Sequence, residues 1–401
     1  MTQSPSQGER GPLPALLWAC FLGSSWTWVI GMLLPALLLR DFGLGGWLVF
    51  AIPNVVGAAA MGFVLGSPVA SSRLVERHRP AALLFSEITI AYHVFAVGWA
   101  FYRLFGAPAL LAAAAVALVV VGIAQRRRMA LVAATGVTLV SLALLVSWLA
   151  RGFAGWPGLE PGRLTTLDLL LFAPASVAGF ALCPYLDLTF HRARQATSPR
   201  TGRIAFAAGF GGVFLAMIVF SLVYGSYLVQ LILEPGNDQR LGSAPALLLG
   251  IHLVIQAGLT VGLHLREVAE HGGQPGLLRT AGLGLAAAGL AWWAASDPTR
   301  LLHELVAGEV IYRGFLLFYG LVFPAYVFLV IWPTRRPRRP MVQTLGWLCA
   351  TLAAAPMSYA GFVLGYSGWI PASLVVLVAA RVAMEVLPLR SVPATHAGPG
   401  A

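Results

Sequence analysis

The sequence predicts an all-α polytopic membrane protein of twelve transmembrane helices. Ten form a five-plus-five inverted repeat with helices one and six broken, and two extra helices follow at the C-terminal end. Three observations carry this expectation. Hydrophobic residues are 58% of the 401 and charged residues 10%, with a mean hydropathy of +0.80, which is too little polar surface for a soluble globule. Twelve apolar runs approach the roughly 20 residues that cross a hydrocarbon core. Two of them, five runs apart, are interrupted by residues that disrupt helices.

The runs begin near Pro14, Leu44, Ala82, Ala107, Met129, Asp168, Ile204, Ala246, Leu277, Leu302, Val342 and Ile370, and only Gln125-Arg126-Arg127-Arg128 divides the fourth from the fifth. The first, ALLWACFLGSSWTWVIGMLLPALLL, contains Gly23-Ser24-Ser25, Gly31 and Pro35. The sixth, LLLFAPASVAGFALCPYLDLTF, contains Pro174, Gly179 and Pro184. Backbone groups freed inside a membrane must be satisfied by protein, water or ligand, so such breaks mark a cavity. Standing five spans apart, the two broken helices run in opposite directions, as an inverted repeat requires. The expected units are a first repeat over 14–150, a second over 168–332, two additional helices over 342–388 and a disordered tail over 389–401.

All 26 basic residues are arginine. They gather in alternate connections: Arg73, Arg77 and Arg79; Arg126 to Arg128; Arg192, Arg194, Arg200 and Arg203; Arg266 and Arg279; and Arg335, Arg336, Arg338 and Arg339. The positive-inside rule then puts both termini in the cytoplasm of a multi-pass inner-membrane protein. The net charge of +11 is thereby a topological signal, and no nucleic acid partner is expected. Cys20, Cys183 and Cys349 lie in apolar runs with neither zinc spacing nor a disulfide framework, so no metal site is read from them. Nothing at the N-terminus looks cleaved. The longest loops are short and the chain has no Lys, which excludes a Walker-type ATP site.

Ionisable and polar side chains in a membrane are costly and usually face a cavity or one another. Span eight carries His252, Gln256, Thr260 and His264 every four residues. Span six carries Ser176, Cys183, Asp187 and His191 near one face, and span three Ser86, Glu87, Thr89, Tyr92 and His93. Span one has Ser24, Ser25 and Thr27 beside Trp26 and Trp28. Many such hydroxyls simply bond their own backbone, and GAAAMG from Gly57 to Gly62 reads as close packing. Glu309 with Arg313, and Arg381 with Glu385, have the i,i+4 spacing of self-neutralising pairs.

The plan of twelve spans with breaks in one and six, together with SSWTWVIGMLLP, resembles the leucine-transporter fold (APC superfamily) of amino-acid, sodium:solute symporter-like and related secondary transporters. The resemblance implies a central cavity lined by spans one, three, six and eight, the spans with the polar residues. Substrate-binding candidates are Ser24, Ser25, Trp26, Thr27, Tyr92, His93, Ser176, Gly179, His252 and Gln256, with a half-helix N-terminus after Gly179 suited to a substrate carboxylate. Trp26, Trp28 and Tyr92 suit an apolar or aromatic part of the cargo. The resemblance also implies a sodium ion on the carbonyls of Phe21 to Ser24 and the Thr260 hydroxyl. The alternative is a proton on Glu87, Asp187 or His93. Arg40 with Glu309, or with Glu304, would close an external gate, Arg313 being a nearer partner for Glu309.

The expected function is secondary active transport: a cation-coupled symporter of a small organic solute, partnered by the lipid bilayer and that solute, with no cofactor beyond a sodium ion. Nothing in the sequence sets the oligomeric state. An enzyme is not expected. The segment GEVIYRGFLL is similar to the EExxxR motif of membrane-embedded CAAX-type proteases, but Gly308 replaces the second Glu and the one later His is His396. Two other classes fit the composition. A major-facilitator transporter would carry an acidic, Gly-rich inner loop where this chain has SPVASSRLVERHRP. The other is a non-transporting receptor or assembly protein on a transporter scaffold.

Overall fold

The computed structural model describes residues 11–150, 162–232, 244–297, 301–302, 305–333 and 339–386. Glu304 and the tail 389–401 lie outside them.

Helix α1 (Pro12–Trp26) is followed, after Thr27 and Trp28, by α2 (Val29–Val64). Gly43 divides α2 with φ 62°, a left-handed turn that a side chain would strain. Ser67 caps α3 (Pro68–Ala124) by accepting the Ala70 N–H, and α4 spans Arg127–Ala150. Helix α5 (Thr166–Leu182) opens on a capping box in which Thr165 and Asp168 satisfy each other's N–H groups. A 3₁₀ turn (Cys183–Leu186) leads to α6 (Leu188–Ala196). Then come α7 (Pro199–Ala208), a π-helical segment (Gly209–Phe214), α8 (Leu215–Ile232) and α9 (Ala244–Ser296). A two-residue antiparallel pair joins β1 (Leu301–Leu302) to β2 (Leu305–Val306). Helix α10 (Ala307–Leu317), a π segment (Phe318–Val322), α11 (Phe323–Tyr326) and a second π segment (Val327–Ile331) form one continuous rod. The described chain ends with α12 (Pro340–Phe362) and α13 (Trp369–Val386). Eight of the described stretches are long and apolar enough to cross a membrane.

Two of the long helices reverse through the same device. In α3 it is Gly106 (φ 80°) followed by Pro108, and in α9 it is Gly273 (φ 58°) followed by Pro275. Glycine supplies the positive φ and proline, lacking an N–H, starts the next helix without leaving a donor unpaired. The two hairpins pack on each other along their length. A Cβ on Gly258 would stand 3.1 Å from Ala117 Cα, and one on Gly262 2.7 Å from Ala124 Cβ, so small residues set their separation. GAAAMG does the same in α2, where a Cβ on Gly57 would meet the Phe180 carbonyl at 2.6 Å.

Among the prolines expected to break helices, Pro35 lies inside α2 and Pro174 inside α5, neither interrupting its helix. One lost hydrogen bond is tolerated where neighbouring helices hold the rod straight. Pro184 does mark a change, standing in the 3₁₀ turn that ends α5.

Candidate functional site

The first break is at Thr27 and Trp28, just beyond the Gly23-Ser24-Ser25 run, and Phe21 to Ser25 stay helical within α1. The unwound carbonyls expected at Phe21 to Ser24 therefore shift toward the end of that stretch. Each is satisfied by protein. The Ser24 carbonyl accepts Gln256 Nε2 at 2.6 Å, the Ser25 carbonyl accepts the Trp28 indole N–H, and the Gly23 carbonyl accepts Thr27 N at 3.1 Å and Thr27 Oγ1 at 2.8 Å. On the other side, Val29 N–H donates to His93 Nε2 at 3.4 Å, so His93 carries its hydrogen on Nδ1 and gives it to the Thr89 carbonyl at 2.7 Å. Break one is thereby tied to α3 and α9.

The second break is a single residue, Asp187. Its Oδ1 accepts Thr189 N and Thr189 Oγ1, both at 2.7 Å, making it the N-cap of α6. Its Oδ2 is buried without a partner. The half-helix N-terminus expected after Gly179 is not there: α5 runs on to Leu182, and the new start at Leu188 already holds a carboxylate. Gly179 instead permits close approach, since a Cβ there would stand 2.8 Å from the Tyr319 carbonyl.

Between α1, α2, α5, the segment 318–322 and the start of α13 lies a cavity of about 90 Å³. Its walls are aromatic and aliphatic, with Trp26, Trp28, Phe172, Tyr319 and Phe362 among them; Asn54, Ser176 and Cys183 are polar exceptions. These exceptions are held by neighbours. Asn54 Oδ1 accepts the Trp26 indole N–H at 2.5 Å, Ser176 Oγ donates to the Val49 carbonyl at 3.0 Å, and Cys183 Sγ donates to the Tyr319 carbonyl at 3.4 Å. An aromatic layer closes one end, with Trp26 centred 4.8 Å from Phe190 and Trp28 5.2 Å from Phe85 and 5.4 Å from Tyr319.

At the other end Arg313 and Asp41 line the cavity as members of a four-charge cluster. Arg40 forks onto Glu309 at 2.9 and 2.6 Å and reaches Asp41 at 2.8 Å. Arg313 reaches Asp41 at 2.6 Å, Glu309 at 2.8 Å and the Phe362 carbonyl at 3.2 Å. Two cations face two anions, all nearly enclosed: the side chain of Glu309 is 1% exposed and that of Arg40 8%. The expected trio Arg40, Glu309 and Arg313 is brought together, with Arg313 joining rather than displacing Arg40. Asp41 was missed, although it directly follows Arg40 in the sequence.

Of the substrate candidates, Trp26, Ser176 and Gly179 line the cavity. The others lie behind it. Ser24 Oγ bonds the Ala134 carbonyl at 3.0 Å and Thr138 Oγ1 at 3.1 Å, while Ser25 and Thr27 bond their own helix at Leu22 and Gly23. Tyr92 donates to the Tyr312 carbonyl at 3.2 Å. The stripe on α9 faces other helices: His252 bonds Ser141 at 2.9 Å, Gln256 bonds Ser24, and His264 bonds Ser86 at 3.1 Å. Thr260 Oγ1 donates to the Gln256 carbonyl at 3.2 Å and lies 3.4 Å from Gln256 Nε2, so one amide occupies two of the oxygens expected to hold sodium, the Ser24 carbonyl and the Thr260 hydroxyl. Glu87 is paired with Arg279 at 2.8 Å. Trp28, Asn54, Cys183 and Tyr319 are among its other lining residues.

No family model matches this sequence, and no curated protein matches it. Among solved structures, the chain is similar to a manganese transporter from Eremococcus coleocola in complex with an aromatic bis-isothiourea substituted compound. The TM-score is 0.50 and the identity 15%, over 95% of this chain and 98% of that one. At this identity the likeness carries the fold alone: this chain has the all-helical, multi-pass membrane fold of that structure. It lends no support to the sodium:solute symporter-like subfamily.

Proposed function

We propose that this chain is a secondary active transporter of a small, uncharged, largely apolar organic solute, built as twelve spans with both ends cytoplasmic. Spans one to five (14–150) and six to ten (168–332) form an inverted repeat, with two helices beyond it (342–388). The Gly-x-Pro turns at 106–108 and 273–275 support the repeat, because they join spans three to four and eight to nine, which are equivalent connections in a five-plus-five plan. The observation that carries the transport reading is the cavity between the two breaks, closed by aromatic rings at one end and bordered by a neutral charge cluster at the other. Every charge that borders it is paired within the cluster, so a charged cargo would enter an apolar space with nothing to offset its desolvation.

The coupling group in this reading is Asp187, whose free Oδ2 can take a proton or a cation. Glu87 is occupied by Arg279, and the Ser24 and Thr260 oxygens are occupied by Gln256. A metal cargo, as the similar protein's name states for that protein, would call on clustered donors. Among the described residues no group of three or more His, Cys, Asp or Glu side chains is placed to hold one.

The test is ligand-dependent thermal stabilisation of the purified chain, with Cys183→Trp as a variant whose cavity is filled. Uncharged aromatic solutes should stabilise the parent and leave Cys183→Trp unmoved. Stabilisation by manganese ion, or equal stabilisation of both proteins, overturns the assignment.

A further inference from the structure

A second hollow, of about 920 Å³, opens between the start of α3 and the second half of α9, lined by Arg79, Leu83, Leu84, Glu87, Arg279 and Leu283. It lies on the outer surface of the bundle, where Leu278 and Leu285 on the same half of α9 are 66% and 76% exposed. Gly282, which also lines the hollow, and Gly284 would meet nothing within 4 Å with a Cβ added, so this stretch of α9 leaves room beside it.

Charge is concentrated at one end. Arg279 donates to both Glu87 oxygens, at 2.8 and 3.4 Å, yet its side chain remains 55% exposed. Arg79 is exposed and donates from Nη2 to the His271 carbonyl at the turn of α9. A guanidinium has five N–H donors, so each arginine has donors beyond these bonds. Two arginines against one glutamate leave a single positive charge at the head of an apolar channel. The same end of the bundle carries Arg192, whose charge is taken up by Glu267 and Glu270, so the uncompensated positive charge at the hollow comes from its own arginines.

We propose that this hollow is a specific site for one anionic glycerophospholipid, its phosphate bridging Arg79 and Arg279 and an acyl chain lying along Leu83 and Leu283. A phosphodiester matches the single positive charge. A zwitterionic lipid would bring an ammonium of its own to the same place and lose that match. The site is separate from the solute cavity and does not depend on the transport reading.

The test is native mass spectrometry of the full chain in detergent, titrated with phosphatidylglycerol, phosphatidylcholine or inorganic phosphate. Two variants are compared with the parent: Arg79→Gln, which keeps the Glu87–Arg279 pair, and Leu283→Trp, which fills the channel. The parent should retain phosphatidylglycerol over phosphatidylcholine. Arg79→Gln should weaken it about fivefold, the factor matching about 1 kcal/mol per basic side chain at an anionic surface. Leu283→Trp should lower retention of the lipid with no change in stability. Equal retention of both lipids, or retention unchanged in both variants, overturns the proposal. Displacement of phosphatidylglycerol by inorganic phosphate at equal concentration overturns it too, by assigning the arginines to free phosphate.

Discussion

Replacing Glu309 by Gln removes one charge from the four-membered cluster while keeping its volume. In the parent Glu309 accepts two bonds from Arg40, at 2.9 and 2.6 Å, and one from Arg313 at 2.8 Å. Glutamine retains one acceptor oxygen and turns an NH₂ group toward a guanidinium, so Asp41 alone faces two buried arginines. Breaking a buried pair by removing one partner costs about 3–5 kcal/mol, because the charge left behind stays desolvated. The expected loss is at least about 3 kcal/mol, measured by denaturant unfolding in mixed micelles with tryptophan fluorescence. The double variant Glu309→Gln with Arg40→Gln restores neutrality through Asp41 and Arg313. It should therefore fall short of the summed single losses by at least about 1 kcal/mol, within the range for contacting residues. A Glu309→Gln loss below about 0.5 kcal/mol, the size of an ordinary surface change, or additive losses in the double variant, would refute the reasoning.

Three further outcomes follow from the same geometry. Thr260→Ala should leave the cation dependence of uptake in proteoliposomes unchanged, since Gln256 already occupies the Ser24 carbonyl; loss of sodium stimulation would restore a sodium site on α9. Gly179→Ala should destabilise the protein by about 1–3 kcal/mol, the usual cost of overpacking, because its Cβ would press on a backbone carbonyl at 2.8 Å that cannot rotate away. Unfolding at the parental denaturant midpoint would mean α5 can shift. Asp187→Asn should flatten the pH dependence of initial uptake while the protein still folds, asparagine being an adequate N-cap; matching parent and variant pH profiles would remove Asp187 from the coupling step.

The all-helical, multi-pass membrane class was legible because hydropathy reports burial in lipid directly. The positions of the breaks were legible only approximately. Gly23, Pro35 and Pro174 weaken a helix in isolation, yet each lies within continuous helix here. Within the bundle, non-helical backbone falls where other groups satisfy it: Gln256 and the Trp28 indole at the first break, Asp187 and Thr189 at the second. Those partners lie up to 232 positions away, beyond the reach of local propensity. The polar stripe of α9 has the period of one helix face, but periodicity does not say what that face meets. Its side chains fasten α9 to α1, α3 and α4 rather than lining the cavity. The cavity's own lining is mostly apolar, and apolar residues occur throughout a membrane bundle without marking a site.

The two breaks also differ in what holds them, and the difference bears on which one can bend. At Thr27 and Trp28 the freed groups are satisfied by side chains from α9 and α3, so any rotation there must release Gln256 from the Ser24 carbonyl and His93 from Val29. Each release exposes a buried polar group at a cost of about 1–3 kcal/mol. At Asp187 the cap and the N–H it accepts belong to the same turn, two residues apart. A hinge there carries its own satisfaction with it as α5 and α6 change angle. The restraints on α6 lie farther along, where Arg194 holds the Leu65 and Gly66 carbonyls at 2.7 and 2.6 Å and Arg192 holds Glu267. The first break is thus built into the scaffold and the second is built as a joint. The acidic side chain with the unpartnered oxygen stands at the joint.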